Sequence, residues 1–175
     1  TDPKHPLYME SSPSKYSGLI KQWYAKMDSI LSDVLDQISP DDILIVLSDH
    51  GFDSFRRAVH VNSWLRDNGF LFLKNNIQKG GELLSDVDWN RTRAYSIGFG
   101  AIYLNLRGRE KHGIVNPGAE AEDLKKEIAG KMMDLKDGPD KVISRIYMRE
   151  EIFWGEHAQQ TPDIYIGFTK GYRAS

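Results

Sequence analysis

The residues in this sequence best suited to chemistry are Ser48-Asp49-His50-Gly51, which follow directly on five consecutive apolar residues, Ile43-Leu44-Ile45-Val46-Leu47. A carboxylate beside an imidazole is a hard-oxygen and nitrogen donor pair of the kind that holds Zn²⁺ or Mn²⁺. Adjacent residues converge on one ion only where the backbone turns sharply, and Gly51 supplies the freedom for that turn. The plainer alternative is a capped surface turn, with Asp49 as the cap and His50 exposed. Two donors are fewer than a tight site needs, so the spacing alone leaves both readings open. Other groups are weaker candidates. Arg56 and Arg57 present planar two-point donors to a phosphate oxygen, or are solvated loop residues. His60 opens a predicted helix and reads as a helix-start residue before it reads as a ligand. Arg107-Gly108-Arg109-Glu110-Lys111-His112 reads as a solvated charged turn. Gly98 and Gly100 around Phe99 fit either a close backbone approach to an anion or a tight strand connection.

The elements that must position these residues follow from periodicity. Apolar residues at Tyr16, Leu19, Ile20, Trp23, Tyr24, Met27, Ile30, Leu31, Val34, Leu35 and Ile38 recur in three- and four-residue steps, which predicts one long amphipathic helix. Pro40 ends it, since the residue before proline is driven out of the helical region. The apolar run Ile43–Leu47 predicts a strand covered on both faces. A helix feeding such a strand is half of a parallel α/β unit, and in open α/β sheets ligands sit beyond the carboxyl ends of strands, where Ser48–Gly51 falls. Beyond it the pattern predicts a short helix over 61–68 stopped by Gly69. It then predicts a strand over 70–74, a loop over 75–88, a strand pair at 94–97 and 101–106, a helix over 119–135, and strands at 142–148 and 163–168. The aromatic residues Trp23, Tyr24, Trp64 and Trp89 read as packing or interface anchors.

Composition bounds the answer. The chain has 175 residues, 40% hydrophobic and 27% charged, with a net charge of −2. These values describe a globular composition long enough for one ordinary domain and exclude the basic balance that general nucleic-acid binding requires. Zero cysteines exclude disulfides, thiolate metal sites and cysteine nucleophiles. No run reaches the roughly 18 apolar residues of a membrane-spanning helix. Residues 1–6 carry no charged-then-apolar leader pattern, and the compartment is left open. The chain opens on Thr1 and breaks off at Gly171-Tyr172-Arg173-Ala174-Ser175 with no stop signal, so it is expected to be part of a longer polypeptide.

Several segments together carry a resemblance: ILIVLSDHGF at 43–52, Phe55-Arg56-Arg57-Ala58-Val59-His60-Val61-Asn62-Ser63-Trp64-Leu65, Asp88-Trp89 with Thr92-Arg93-Ala94-Tyr95, Ala101-Ile102-Tyr103-Leu104-Asn105, Gly108-Arg109-Glu110 with Gly113-Ile114-Val115, Thr161-Pro162-Asp163-Ile164, and Gly171-Tyr172-Arg173. In this order they resemble the alkaline phosphatase superfamily, in its type I phosphodiesterase/nucleotide pyrophosphatase branch. The resemblance implies a metal-dependent phosphoester hydrolase with two divalent ions, usually zinc and with manganese as the alternative, and a covalent phospho-enzyme on a Thr or Ser. Dications in such a site neutralise the attacking and leaving oxygens. It further implies that Asp49 and His50 are ligands of one ion. The nucleophile and the remaining ligands have no counterpart here. Asp2 and His5 do not match the family's three-residue spacing and are not assigned.

The resulting expectation is the C-terminal portion of a phosphoester hydrolase, without a catalytic nucleophile of its own and inactive alone. Its fold class is α/β, a mostly parallel sheet flanked by helices with a small α+β lobe. Residues 1–74 are expected to belong to the core, 75–138 to an inserted or appended lobe, and 139–175 to a return to the core. Its partners would be a phosphoester or nucleotide-like small molecule, the rest of its own chain, and a second copy if it dimerises. A phosphomutase or sulfatase of the same superfamily, and a non-catalytic binding or structural module, stand as alternatives.

Overall fold

A computed structural model describes Pro3, Tyr8 and residues 15–77 and 79–175. Asp2 and His5 lie outside the described residues. The chain divides into two compact units, Thr1–Ser54 and Phe55–Ser175.

In the first unit the expected helix forms as α1, Leu19–Leu35. It has no buried residue, and its apolar stripe lies open: Ile20 is 66% exposed, Trp23 56% and Tyr24 75%. The chain then turns through Ser39-Pro40-Asp41, where the Ser39 N–H donates to the Asp42 carboxylate at 2.7 Å. These contacts with Ser39 hold Asp42 below the ordinary carboxylate range.

The predicted strand Ile43–Leu47 does not form. The segment takes no regular structure, and Ile45, Val46 and Leu47 are 73–80% exposed. The reason is physical. A strand apolar on both faces needs hydrogen-bonding neighbours at its edges and cover above and below, and no described residue pairs with it.

The second unit holds the core. β1 (Arg57–Val59) leads through His60 into α2 (Val61–Asp67). Asn68 closes α2 and Gly69 follows at φ 76°, the left-handed stop that glycine permits. The predicted strand at 70–74 is reduced to a single bridge between Leu73 and Val87. Around it Phe70 and Phe72 accept backbone hydrogen bonds from Arg93 and Asp88. The expected loop is present, carrying two short 3₁₀ turns at Lys74–Asn76 and Glu82–Leu84.

The hairpin of β2 (Ala94–Ile97) and β3 (Ala101–Leu104) forms where the alternation predicts it, with α3 (Ala119–Met133) following. A two-residue ribbon, β4 (Lys136–Asp137) and β5 (Asp140–Lys141), turns at Gly138-Pro139. Then come β6 (Ile143–Met148), the short α4 (Arg149–Ile152), β7 (Ile164–Phe168) and β8 (Tyr172–Ala174).

The fold is mixed α/β, but the expected mostly parallel sheet is not what the strands build. The largest sheet, in the order β2-β3-β7-β6, is antiparallel throughout. The one parallel pair among the described strands is β1 with β8, Arg57 opposite Tyr172 and Val59 opposite Ala174. The expectation of parallelism rested on Ile43–Leu47, the segment that finds no neighbour.

Alternation along the large sheet sends Ile102, Leu104, Ile164 and Ile166 inward, all at most 7% exposed. The buried face of α3, with Leu124, Ile128 and Met132, joins the same cluster. Asn62 ties α2 to β2, donating to the Ser96 carbonyl at 2.9 Å and accepting the Ser96 N–H at 2.8 Å.

Candidate metal pair and the ion-pair knot

Asp49 and His50 converge. The Nε2 of His50 lies 3.4 Å from Oδ2 of Asp49, and the backbone N–H of His50 donates to the other carboxylate oxygen at 3.0 Å. On the far side of the ring, Nδ1 is 3.1 Å from the Gly51 carbonyl. With the proton on Nδ1 donated to that carbonyl, the Nε2 lone pair faces the carboxylate. Ser48 Oγ donates to the His50 carbonyl at 2.8 Å and pins the turn. Phe52 meets the imidazole edge-on, ring centroids 5.3 Å apart. Both side chains are well exposed, 63% for His50 and 85% for Asp49. No group of three or more His, Cys, Asp or Glu able to hold an ion occurs among the described residues.

The remaining sequence candidates belong to the second unit. His60 precedes α2 at the N-cap position and makes no side-chain capping bond. Arg57 pairs with Asp137, Nε to Oδ2 at 2.8 Å and Nη2 to Oδ1 at 3.2 Å. Gly98 and Gly100 take φ 78° and 93°. A Cβ on Gly100 would meet the Ile166 carbonyl at 3.2 Å, so these glycines serve the tight strand connection, with Phe99 96% exposed at its tip. Trp64 stacks on Phe70 and Trp89 meets Tyr95 edge-on, whereas Trp23 and Tyr24 lie open on α1.

The charged turn 107–112 corrects the sequence reading. It is not merely solvated: Arg109 and Glu110 side chains are only 21% and 15% exposed. Arg109 grips Asp163 through both Nη atoms, at 3.1 and 2.6 Å, and donates to Glu110 at 2.8 Å and to the Leu104 carbonyl at 2.8 Å. Asp163, 1% exposed, also accepts from Arg149 at 3.0 Å and from the Leu104 N–H at 2.7 Å.

Burial pulls the Arg109 guanidinium down, but its hydrogen bonds and attraction to Asp163 and Glu110 win and hold it above its usual value. Burial, then the neighbouring Glu110, push the Tyr95 phenol up; its hydroxyl donates to Glu110 at 3.2 Å.

Beside this knot, fully buried Asn105 donates to the carbonyls of Trp89, Thr92 and His112 at 2.8–3.1 Å. The Asp163 carboxylate is shared by both guanidiniums, whereas the buried Oδ1 of Asn105 has no partner. Sequence spacing gave no sign of the knot, because Arg109 and Asp163 are 54 positions apart.

The sequence profile of the family described as type I phosphodiesterase / nucleotide pyrophosphatase matches residues 5–175, and the chain belongs to that family. Comparison with curated proteins found no match, and comparison with solved structures found none. The family is one of phosphoester hydrolases, which are typically metal-dependent, and it implies a phosphoester substrate. No helix among the described residues is long and apolar enough to cross a membrane.

Proposed function

We propose that this chain is the C-terminal portion of a two-metal phosphodiesterase or nucleotide pyrophosphatase of alkaline phosphatase-like fold, and that Asp49 and His50 hold one of the two ions. The observation that carries the reading is the convergence of Asp49 Oδ2 and His50 Nε2 at 3.4 Å. Two donors on one tetrahedral zinc, each about 2.0–2.1 Å from it, stand roughly 3.3 Å apart. The Gly51 carbonyl at Nδ1 is the outer partner that orients a ligating imidazole and raises its basicity. The His50 N–H on Oδ1 fixes the carboxylate so that Oδ2 is the oxygen on offer. Manganese is compatible with the same oxygen and nitrogen pair.

When bound, the ion supplies charge neutralisation at a phosphoryl oxygen. The chain's own residues supply the orientation of two donors and a fixed imidazole tautomer. The nucleophile and the other ligands are assigned to polypeptide outside this chain. The composition of Ile43–Leu47, that of a central strand covered on both faces, supports that assignment.

The test is immunoblotting of source cells with an antibody to this chain, followed by phosphodiester hydrolysis assays on the polypeptide found. A band well above 20.0 kDa, with hydrolysis of bis(p-nitrophenyl) phosphate abolished by Asp49→Ala, is expected. A band at the size of this chain, or hydrolysis indifferent to Asp49→Ala, overturns the reading; cleavage of sulfate esters instead selects the sulfatase alternative.

A further inference from the structure

The convergence of Asp49 and His50 has a local cause. Successive side chains of an extended chain point to opposite faces, so two adjacent residues beyond an apolar run do not ordinarily meet. Here the carboxylate and the imidazole stand 3.4 Å apart, and the backbone between 48 and 51 must turn to bring them there. Gly51, the residue whose freedom the sequence offers for that turn, does not supply it. It takes no left-handed φ, and a Cβ on it would meet nothing within 4 Å. Three contacts among the described residues hold the turn instead. Two use atoms of the pair itself, the His50 N–H on Asp49 Oδ1 at 3.0 Å and His50 Nδ1 by the Gly51 carbonyl at 3.1 Å. The third uses neither side chain of the pair: Ser48 Oγ donates to the His50 carbonyl at 2.8 Å.

We propose that Ser48 is a positioning residue for the metal pair: its hydroxyl, and not the conformational freedom of Gly51, sets the turn on which the two ligands converge. This role rests on the assignment of Asp49 and His50 as ligands. A hydroxyl bonded to backbone two residues on stands in for a turn's own hydrogen bond. It closes the chain across Asp49 while engaging neither Asp49 Oδ2 nor His50 Nε2, so the contact persists when those two atoms hold an ion. Ser48 does not touch the ion; it acts through the His50 carbonyl. The pair is thereby arranged before an ion arrives, and less ordering remains to be done on binding.

The experiment compares Ser48→Thr with Ser48→Val in the isotope-labelled full chain. The two side chains share one β-branched shape, and only threonine can donate a hydrogen bond. In the metal-free chain, nuclear Overhauser contacts between the Asp49 Hβ protons and the His50 ring protons report the convergence. They should be present in the wild type and Ser48→Thr and lost in Ser48→Val. Zinc affinity, followed through the His50 Nε2 resonance, should match the wild type in Ser48→Thr. In Ser48→Val it should be roughly three- to tenfold weaker, the worth of one net hydrogen bond. Gly51→Ala should weaken zinc binding less than Ser48→Val does.

Equal ring contacts, or equal zinc affinities, in Ser48→Thr and Ser48→Val overturn the proposal. A larger loss in Gly51→Ala than in Ser48→Val also overturns it and returns the turn to the glycine. Failure of the ligand assignment has a different signature: zinc binding that Asp49→Ala leaves unchanged removes the metal pair itself, and this role for Ser48 with it.

Discussion

Replacing Asp163 by alanine tests whether the buried ion-pair knot stabilises the second unit. The carboxylate is 1% exposed and accepts from Arg109, Arg149 and the Leu104 N–H over distances of 2.6–3.1 Å. Its loss leaves a backbone donor unpaired in the core and deprives two guanidiniums of their shared anion. Removing one partner of a buried pair costs about 3–5 kcal/mol. Arg109 keeps Glu110 and Arg149 keeps Glu150, which places the loss near the lower bound, about 3 kcal/mol. With a urea m-value of about 2 kcal/mol/M, the unfolding midpoint should fall by about 1.5 M. Tryptophan fluorescence reports the transition, since Trp64 and Trp89 pack against the core. Asp163→Asn, which keeps an acceptor for Leu104 but not the charge, should lose less. A loss below about 1 kcal/mol for Asp163→Ala, the size of an exposed pair, would refute the argument.

Three further outcomes can be measured. Burial raises the Glu150 carboxyl, but its bonds to Lys125 and nearby backbone outweigh this and lower it from 4.5. Its contribution to stability is therefore present above the unfolded value and lost as pH falls through the lower folded value. Glu150→Gln should flatten the acid limb of a stability–pH curve below about pH 4.5, and an unchanged limb counts against it. Gly113→Ala drives a Cβ into the Leu106 carbonyl, and thermal melting should show a loss of about 1–3 kcal/mol. Val46→Asp with Leu47→Asp, at positions 74% and 80% exposed, should reduce concentration-dependent association in sedimentation velocity without lowering the melting point. Association indifferent to both substitutions contradicts a role for this apolar run.

The legible parts of the fold are those encoded locally. The stripe of α1, the Gly69 stop of α2, the Gly98-Phe99-Gly100 turn between β2 and β3, and α3 up to the Lys136–Pro139 turn all arise from neighbouring residues, and the structure has each of them. What depends on distant pairing was not legible. β8 carries no local strand signal that was read from the sequence, yet it finds β1 more than a hundred positions away. Leu73 and Phe72 read as a strand, but their partners near 87 and 88 arrive through an irregular loop and allow one bridge. Ile43–Leu47 shows the opposite case, a strong strand pattern whose outcome depends on neighbours the described residues do not provide.

Site residues divide the same way. Asp49 and His50 are adjacent, so their pairing is within reach of sequence reasoning. Arg109, Arg149 and Asp163 meet only through the fold, and Arg57 meets Asp137 and Tyr172 in the same way.

The measurement closest to the central claim is a zinc titration of the full chain, watching the imidazole nitrogens of His50 by long-range ¹H–¹⁵N correlation. The account predicts that zinc moves the Nε2 resonance while Nδ1 keeps its proton on the Gly51 carbonyl, and that Asp49→Ala weakens the effect at least tenfold. Zinc that leaves Nε2 unmoved, or that binds His50 equally well without Asp49, would contradict it.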